Sequence, residues 1–201
     1  MLVIVDYGAG NLGSLVNMCK HVGIEAKVSA SPEDILTAKH IILPGVGAFD
    51  HGMKKLNESG LVEALNKAVL ELNTPVLGIC LGMQLMTLSS EEGTLPGLGW
   101  INAKTVKIPV VDDIKVPHMG WSLINYQKQE AINQDPLPNE RYYFVHSYCV
   151  QCLDADDRLA QVTYGTDFDV MFQKGNIIGA QFHPEKSHKF GKKLLKSFAQ
   201  L

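Results

Sequence analysis

Short apolar runs and helical patterns alternate along the first half of the chain. "LVIVD" is an unbroken hydrophobic run, as a strand buried on both faces requires, and "NLGSLVNMCKHVG" follows with helical spacing that stops near Gly23. "IEAKVSA" predicts a second strand, and "SPEDI" then offers Ser31 as a helix cap with Pro32 at the first helical position. "HIILPG" is a third strand, helical stretches run through "LVEALNKAVLELN", and a fourth strand, "PVLGIC", leads into "LGMQLMTLS". Strands alternating with helices predict right-handed crossovers and a mostly parallel sheet with helices on both faces.

The second half changes period. "INAKTVKI", "YYFVHSYCV", "RLAQVTY", "DVMFQKG" and "NIIGAQF" are strand-like runs joined by turns, with little helix between them. The closing "KFGKKLLKSFAQL" is amphipathic, with Phe190, Leu194, Leu195 and Phe198 inward and Lys189, Lys192, Lys193 and Lys196 on a solvated face. No repeat, linker or low-complexity segment interrupts the pattern. The expectation is one α/β domain over residues 1–201, flavodoxin-like in its mostly parallel central sheet, with extra β strands in the second half.

Composition narrows the function classes. A chain of 201 residues with 46% hydrophobic and 19% charged residues suits a single well-cored globular domain. A formal net charge of −3 leaves no electrostatic footprint for nucleic acid. No apolar run approaches the roughly 20 residues that span a bilayer, and the amino terminus enters a strand without a basic region or cleavage site. A cytoplasmic protein, free of membrane and nucleic acid, is expected. Four cysteines are too few for a disulfide scaffold of this length. Cys149 and Cys152 form a C-x-x-C pair, but on a strand-to-loop run rather than at a helix start, and no second ligand pair completes a zinc site. They read as ordinary thiols.

Two glycine turns compete as the chemical centre. Gly8, Gly10 and Gly13 in "GAGNLG" have the G-x-G-x-x-G spacing of a dinucleotide cradle, yet the second strand ends "KVSAS" without the carboxylate that would hold a ribose. Gly78 and Gly82 flank Cys80 at a strand-to-helix junction, a thiol version of the nucleophile elbow. A helix amino terminus beneath the sulfur favours the thiolate. Of the seven histidines, His183 directly follows an apolar strand, and Glu185 lies two residues on, on the same side of an extended segment stiffened by Pro184. Cys80, His183 and Glu185 are therefore the candidate nucleophile, base and orienting carboxylate.

"GICLGMQL" together with "QFHPEKS" resembles the class I, or triad, glutamine amidotransferases. "VDYGAGNLGS", "LPGVGAF", "PHMGW" and "YYFVHSY" are similar to the glutaminase subunits of imidazole glycerol phosphate synthase within that class. The resemblance covers essentially the whole chain. It implies that Cys80 attacks the carboxamide of glutamine, that His183 carries the protons and that Glu185 orients the imidazole. It implies oxyanion donors at the backbone of Leu81 and of Val46, in a "PGVG" loop whose glycines let a peptide turn over. Gln84, Gly47, His146, Ser147 and Tyr148 match substrate contacts. Tyr143 and Lys186 match residues flanking the opening to a synthase subunit, and His118, Met119 and Trp121 fall at or near that contact. No cofactor or metal is implied. The implied partner is a separate (β/α)8-barrel cyclase, a heterodimer in which ammonia is used to make imidazole glycerol phosphate for histidine.

On this resemblance "GAGNLG" is a family signature, with Gly10 and Gly13 bringing the first helix close to the sheet. Ser122 stands where the subfamily usually has asparagine, which leaves open a related acceptor, a bacterial surface-sugar precursor. A glutaminase of vitamin B6 synthesis has a different loop after the third strand, and a silent regulatory protein would not need an intact Cys80, His183 and Glu185.

Overall fold

A computed structural model describes residues 1–111 and 114–201. The first half runs β1 (Leu2–Val5), α1 (Leu12–His21), β2 (Ala26–Ser29), α2 (Pro32–Thr37), β3 (His40–Leu43) and α3 (Phe49–Glu58). It continues through α4 (Val62–Asn66), extended by a π-helical turn over Lys67–Glu71, to β4 (Val76–Ile79) and α5 (Leu81–Leu85). The second half adds β5 (Ser89–Ser90), β6 (Ala103–Lys107), β7 (His118–Leu123), β8 (Asn125–Tyr126) and β9 (Arg141–His146). Then come β10 (Tyr148–Cys152), β11 (Arg158–Tyr164), β12 (Thr166–Lys174), β13 (Ile177–Ala180) and α6 (His188–Phe198).

The main sheet has the order β2-β1-β3-β4-β13-β12-β10-β6-β5, with β11 beside β12 and β8 beside β11. From β2 to β13 every pairing is parallel. Beyond β13 the sheet turns antiparallel through β12, β10 and β6. This is the expected α/β class, a mostly parallel centre with antiparallel strands from the second half.

β1, β3, β4 and β13 are covered on both faces and so are apolar at nearly every position, whereas β2, at the sheet edge, exposes Lys27 and Val28. Leu2 and Ile4 of β1 enter the core that holds Leu15 of α1 and Phe190, Leu194, Leu195 and Phe198 of α6. Val3 and Val5, pointing the other way, join Ile35, Phe49, Met53, Leu65, Leu81 and Leu85 from α2 to α5. The four inward residues expected of α6 are all buried.

Three local readings change. Ser31 occupies the cap position of α2 but its side chain caps nothing; the Ser29 hydroxyl takes the Ser31 N–H and donates to Asp34 instead. "YYFVHSYCV" is not one strand. It breaks at Ser147 into β9, which pairs with β7 in a separate two-stranded ribbon, and β10, which belongs to the main sheet. Among the described residues, Gly13 has no atom beyond its chain neighbours and its own helix backbone within 4 Å of where a β-carbon would stand, so it brings no helix close to the sheet. Gly10 does, with φ +109° and a β-carbon position 3.0 Å from Pro44 Cβ.

Candidate active site

Parallel strands deliver their carboxyl ends to one edge, where α/β folds place their chemistry. β4 ends at Cys80, whose backbone is held at φ 54°, ψ −111°, a conformation a non-glycine residue adopts only under constraint. The constraint is visible. Its N–H donates to the Ala180 carbonyl at 2.8 Å, fixing the elbow to the end of β13. A β-carbon on Gly82 would lie 1.9 Å from the Leu43 carbonyl oxygen, and one on Gly78 would lie 2.8 Å from the Met83 nitrogen. The two glycines thus let β4, α5 and the end of β3 pack at backbone distance, and this packing turns the Cys80 side chain up at the edge.

The chain leaving β13 carries the other two candidate triad residues. Past Ala180 the chain bends at Gln181 and Phe182, and the His183 imidazole lines the same cleft as Cys80. Its Nδ1 lies 2.8 Å from Glu185 Oε1; an ionised carboxylate only accepts, so Nδ1 carries the hydrogen and Nε2 faces the sulfur. Ser187 locks the histidine backbone by donating its hydroxyl to the His183 carbonyl at 2.6 Å and accepting from the Tyr143 N–H. Burial alone would lower the histidine pKa. The hydrogen bonds and opposite charges of Cys80 and Glu185 outweigh it and push the pKa up to about 10. The site therefore favours the protonated imidazole.

The helix under the sulfur is only five residues long, so its macrodipole contributes less than the sequence suggested. Its uncapped first N–H groups matter more: Leu81 N–H, at the first helical position, has no intrahelical acceptor.

Cys80, Leu81, Gln84, His183 and Lys186 line a cleft of about 410 Å³ with Val46 and Gly47 on one side and His146, Ser147 and Tyr148 on another. The "PGVG" loop is anchored at one end and open at the other. The Tyr7 hydroxyl donates to the Pro44 carbonyl at 2.7 Å, and a β-carbon on Gly45 would fall 2.8 Å from the Gly82 nitrogen. Gly47, at φ +102°, has none of the described residues beyond its chain neighbours within 4 Å of its β-carbon position.

Two residues of the site escaped sequence reasoning. Glu92 adds a carboxylate to the cleft wall and accepts the Phe49 N–H at 2.9 Å. In the sequence it is one of two adjacent glutamates in "SSEEG", and nothing local separates it from its neighbour. Gln181, fully buried, points its Nε2 at the Cys80 sulfur from 3.8 Å. In the sequence it is one polar residue in "GAQF", and nothing local marks it.

The predicted docking residues divide. Along β7, Met119, Trp121 and Leu123 are 60%, 43% and 54% exposed, while His118 is 1% exposed. His118 therefore lies beneath that surface, not on it. Ser122 is on the same inner side, 2.8 Å from His118 Nε2, so the departure at this position faces the interior and not a partner. Tyr143 pairs with Trp121 across the ribbon, and Lys186 sits over its ring.

The other thiols contrast with Cys80. Burial pushes Cys19 up to about 11, and burial with the nearby Asp169 charge pushes Cys149 up to about 12 and Cys152 further. Among the described residues no group of three His, Cys, Asp or Glu side chains is arranged to hold a metal ion.

Comparison with known proteins identifies the family. The profile of the family "Glutamine amidotransferase class-I" matches residues 3–200. The imidazole glycerol phosphate synthase subunit HisH 2 of Methanococcus maripaludis is 50% identical over 198 residues, 98% of each chain. The subunit of the same name from Pseudomonas aeruginosa is 50% identical over 201 residues, 100% of each. Among solved structures, a glutamine amidotransferase superposes with TM-score 0.75 at 21% identity, covering 98% of this chain and 97% of that one. A chain of PurLQS from Thermotoga maritima superposes with TM-score 0.75 at 16% identity, over 99% and 97%. These two show the fold alone. The chain belongs to the class I glutamine amidotransferases, in the HisH family of imidazole glycerol phosphate synthase subunits.

Proposed function

We propose that this chain releases ammonia from glutamine at Cys80 and hands it to a (β/α)8-barrel cyclase subunit, for the imidazole glycerol phosphate step of histidine biosynthesis. The observation that carries the chemistry is the Cys80–His183–Glu185 constellation on a strained elbow at the strand ends.

The Cys80 thiolate attacks the side-chain carbonyl carbon, and the oxygen takes up negative charge against the Leu81 N–H and an N–H of the Val46 loop. When the tetrahedral species collapses, the imidazolium gives its proton to the leaving nitrogen, and ammonia departs from a glutamyl thioester. His183, now neutral, takes a proton from water as the water adds to the thioester. Glutamate leaves and the thiolate is restored. Glu92 is the carboxylate suited to the substrate's ammonium group, and Gln84 and the His146–Tyr148 segment complete the pocket.

Support for a docked synthase subunit comes from the β7–β9 ribbon. Met119, Trp121 and Leu123 form an outward apolar stripe paired with Val145, Tyr143 and Arg141. Val145 and Lys186 belong to both the stripe's surroundings and the cleft lining, so a partner seated there would cover the mouth. Ammonia reaching bulk water would be protonated and lose its nucleophilicity, which such a cover prevents.

The test is Cys80→Ala in the complex with the co-purifying synthase subunit. Glutamine-dependent turnover is expected to fall by at least about 10³-fold, while turnover with ammonium salts persists. Loss of both activities would make Cys80 a structural residue and refute the assignment.

A further inference from the structure

The Tyr148 carbonyl accepts two hydrogen bonds, one from Gln84 Nε2 at 3.1 Å and one from His146 Nδ1 at 2.8 Å. A carbonyl can only accept, so this one atom fixes the hydrogens of everything attached to it. In one direction, Gln84 must turn its amide nitrogen to Tyr148, and the same nitrogen lies 3.0 Å from the Gln181 side chain. Gln181 therefore presents Oε1 to Gln84 and has its N–H group left for the Cys80 sulfur, 3.8 Å away. In the other direction, His146 donates from Nδ1. Burial holds its pKa down to about 3, so it is neutral and its Nε2 accepts. His118 Nδ1, 2.9 Å away, must donate to it. Burial also holds His118 down to about 4, so its Nε2 accepts in turn, and the Ser122 hydroxyl at 2.8 Å must be its donor.

We propose that Gln181 is a further catalytic residue, an N–H donor to the Cys80 thiolate, and that Ser122, His118 and His146 are positioning residues that hold the Tyr148 carbonyl, and through it Gln84 and Gln181, in that orientation. Gln181, Gln84, His118 and His146 are all buried, so none of them can exchange its partner freely with water. A donor beside the sulfur stabilises the anion that attacks and that returns when glutamate leaves. Ser122 is the far end of this chain, next to Trp121 of the apolar stripe, which links the docking ribbon to the nucleophile by seven residues in unbroken hydrogen-bond contact: Ser122, His118, His146, Tyr148, Gln84, Gln181 and Cys80.

The inference rests on Cys80 being the nucleophile, and its test reads the sulfur directly. Alkylation of Cys80 by iodoacetamide at pH 7 needs neither glutamine nor a partner, so it separates failure of this proposal from failure of the glutaminase reading. Gln181→Met keeps length and burial without the N–H. It is expected to slow Cys80 alkylation and to lower kcat for glutamine in the complex, each about tenfold, with KM changed less than threefold. Gln181→Glu keeps the shape but sets an acceptor beside the sulfur, and is expected to slow alkylation more; it keeps the test decisive if the methionine variant does not fold. Ser122→Ala is expected to lower both rates about threefold, and Ser122→Asn, which supplies an amide N–H, to restore them. Wild-type alkylation in both Gln181 variants would overturn the role of Gln181. A defect in Ser122→Ala that Ser122→Asn does not repair, or no defect, would overturn the role of the histidine chain.

Discussion

Two strand–glycine–helix turns, similar in spelling, do opposite things in this molecule. At the first, Gly8 and Gly10 carry positive φ between β1 and α1. The space a ligand would need there is already used: the Asn11 side chain caps α1 by accepting the Ser14 N–H, Lys55 donates to the Gly8 carbonyl at 2.6 Å, and Pro44 packs on Gly10. At the second, Gly78 and Gly82 let backbone approach backbone, and α5 starts without a side-chain cap. Glycine spacing alone does not make a ligand site. What decides is whether the turn leaves N–H groups unclaimed and a reactive side chain raised beside them.

The comparison breaks most visibly at Gly82. Its β-carbon would overlap the Leu43 carbonyl oxygen at 1.9 Å, and neither backbone can withdraw without dismantling the elbow. Gly82→Ala is expected to cost more than about 4 kcal/mol or prevent folding, read by chemical denaturation. A stable, active Gly82→Ala protein would mean that the close approach is not required. The first turn predicts two smaller effects of opposite sign. Gly10→Ala meets both positive φ and Pro44, and is expected to destabilise by roughly 1–3 kcal/mol. Gly13→Ala adds a methyl in open space inside α1, and is expected to stabilise by about 0.5–1 kcal/mol, a rise of roughly 1–4 °C in Tm. Equal effects at the two positions would contradict this account of the turn.

The legible parts of the sequence were those where one physical requirement acts locally. β1, β3 and β4 are covered on both faces and so are written as nearly solid apolar runs. Cys80, His183 and Glu185 stood out as candidates because an elbow needs small residues at fixed offsets and His183 and Glu185 are two residues apart; the extended segment expected between them is instead a 3-10 turn over Pro184–Lys186, and that turn brings Glu185 Oε1 to His183 Nδ1. β7 was not legible as a strand: its outward positions are apolar and its inward ones are His118, Gly120 and Ser122, the reverse of a strand that merely covers a core. Ser147 was read through as strand because nothing in "YYFVHSYCV" marks a change of sheet. Gln181 and Glu92 owe their roles to partners 101 and 43 residues away, a separation that no local pattern encodes.

The central claim is that the second turn, and only that one, holds a glutamine-reactive nucleophile. The most direct measurement is covalent capture: the chain, in its complex with the synthase subunit, is treated with a glutamine analogue bearing an electrophilic side-chain ketone and mapped by mass spectrometry. The account predicts a single adduct on Cys80, protection by excess glutamine, and no adduct on Cys19, Cys149 or Cys152, whose burial raises their pKa values. Modification at any other residue with Cys80 left free, or labelling that glutamine does not prevent, would contradict it.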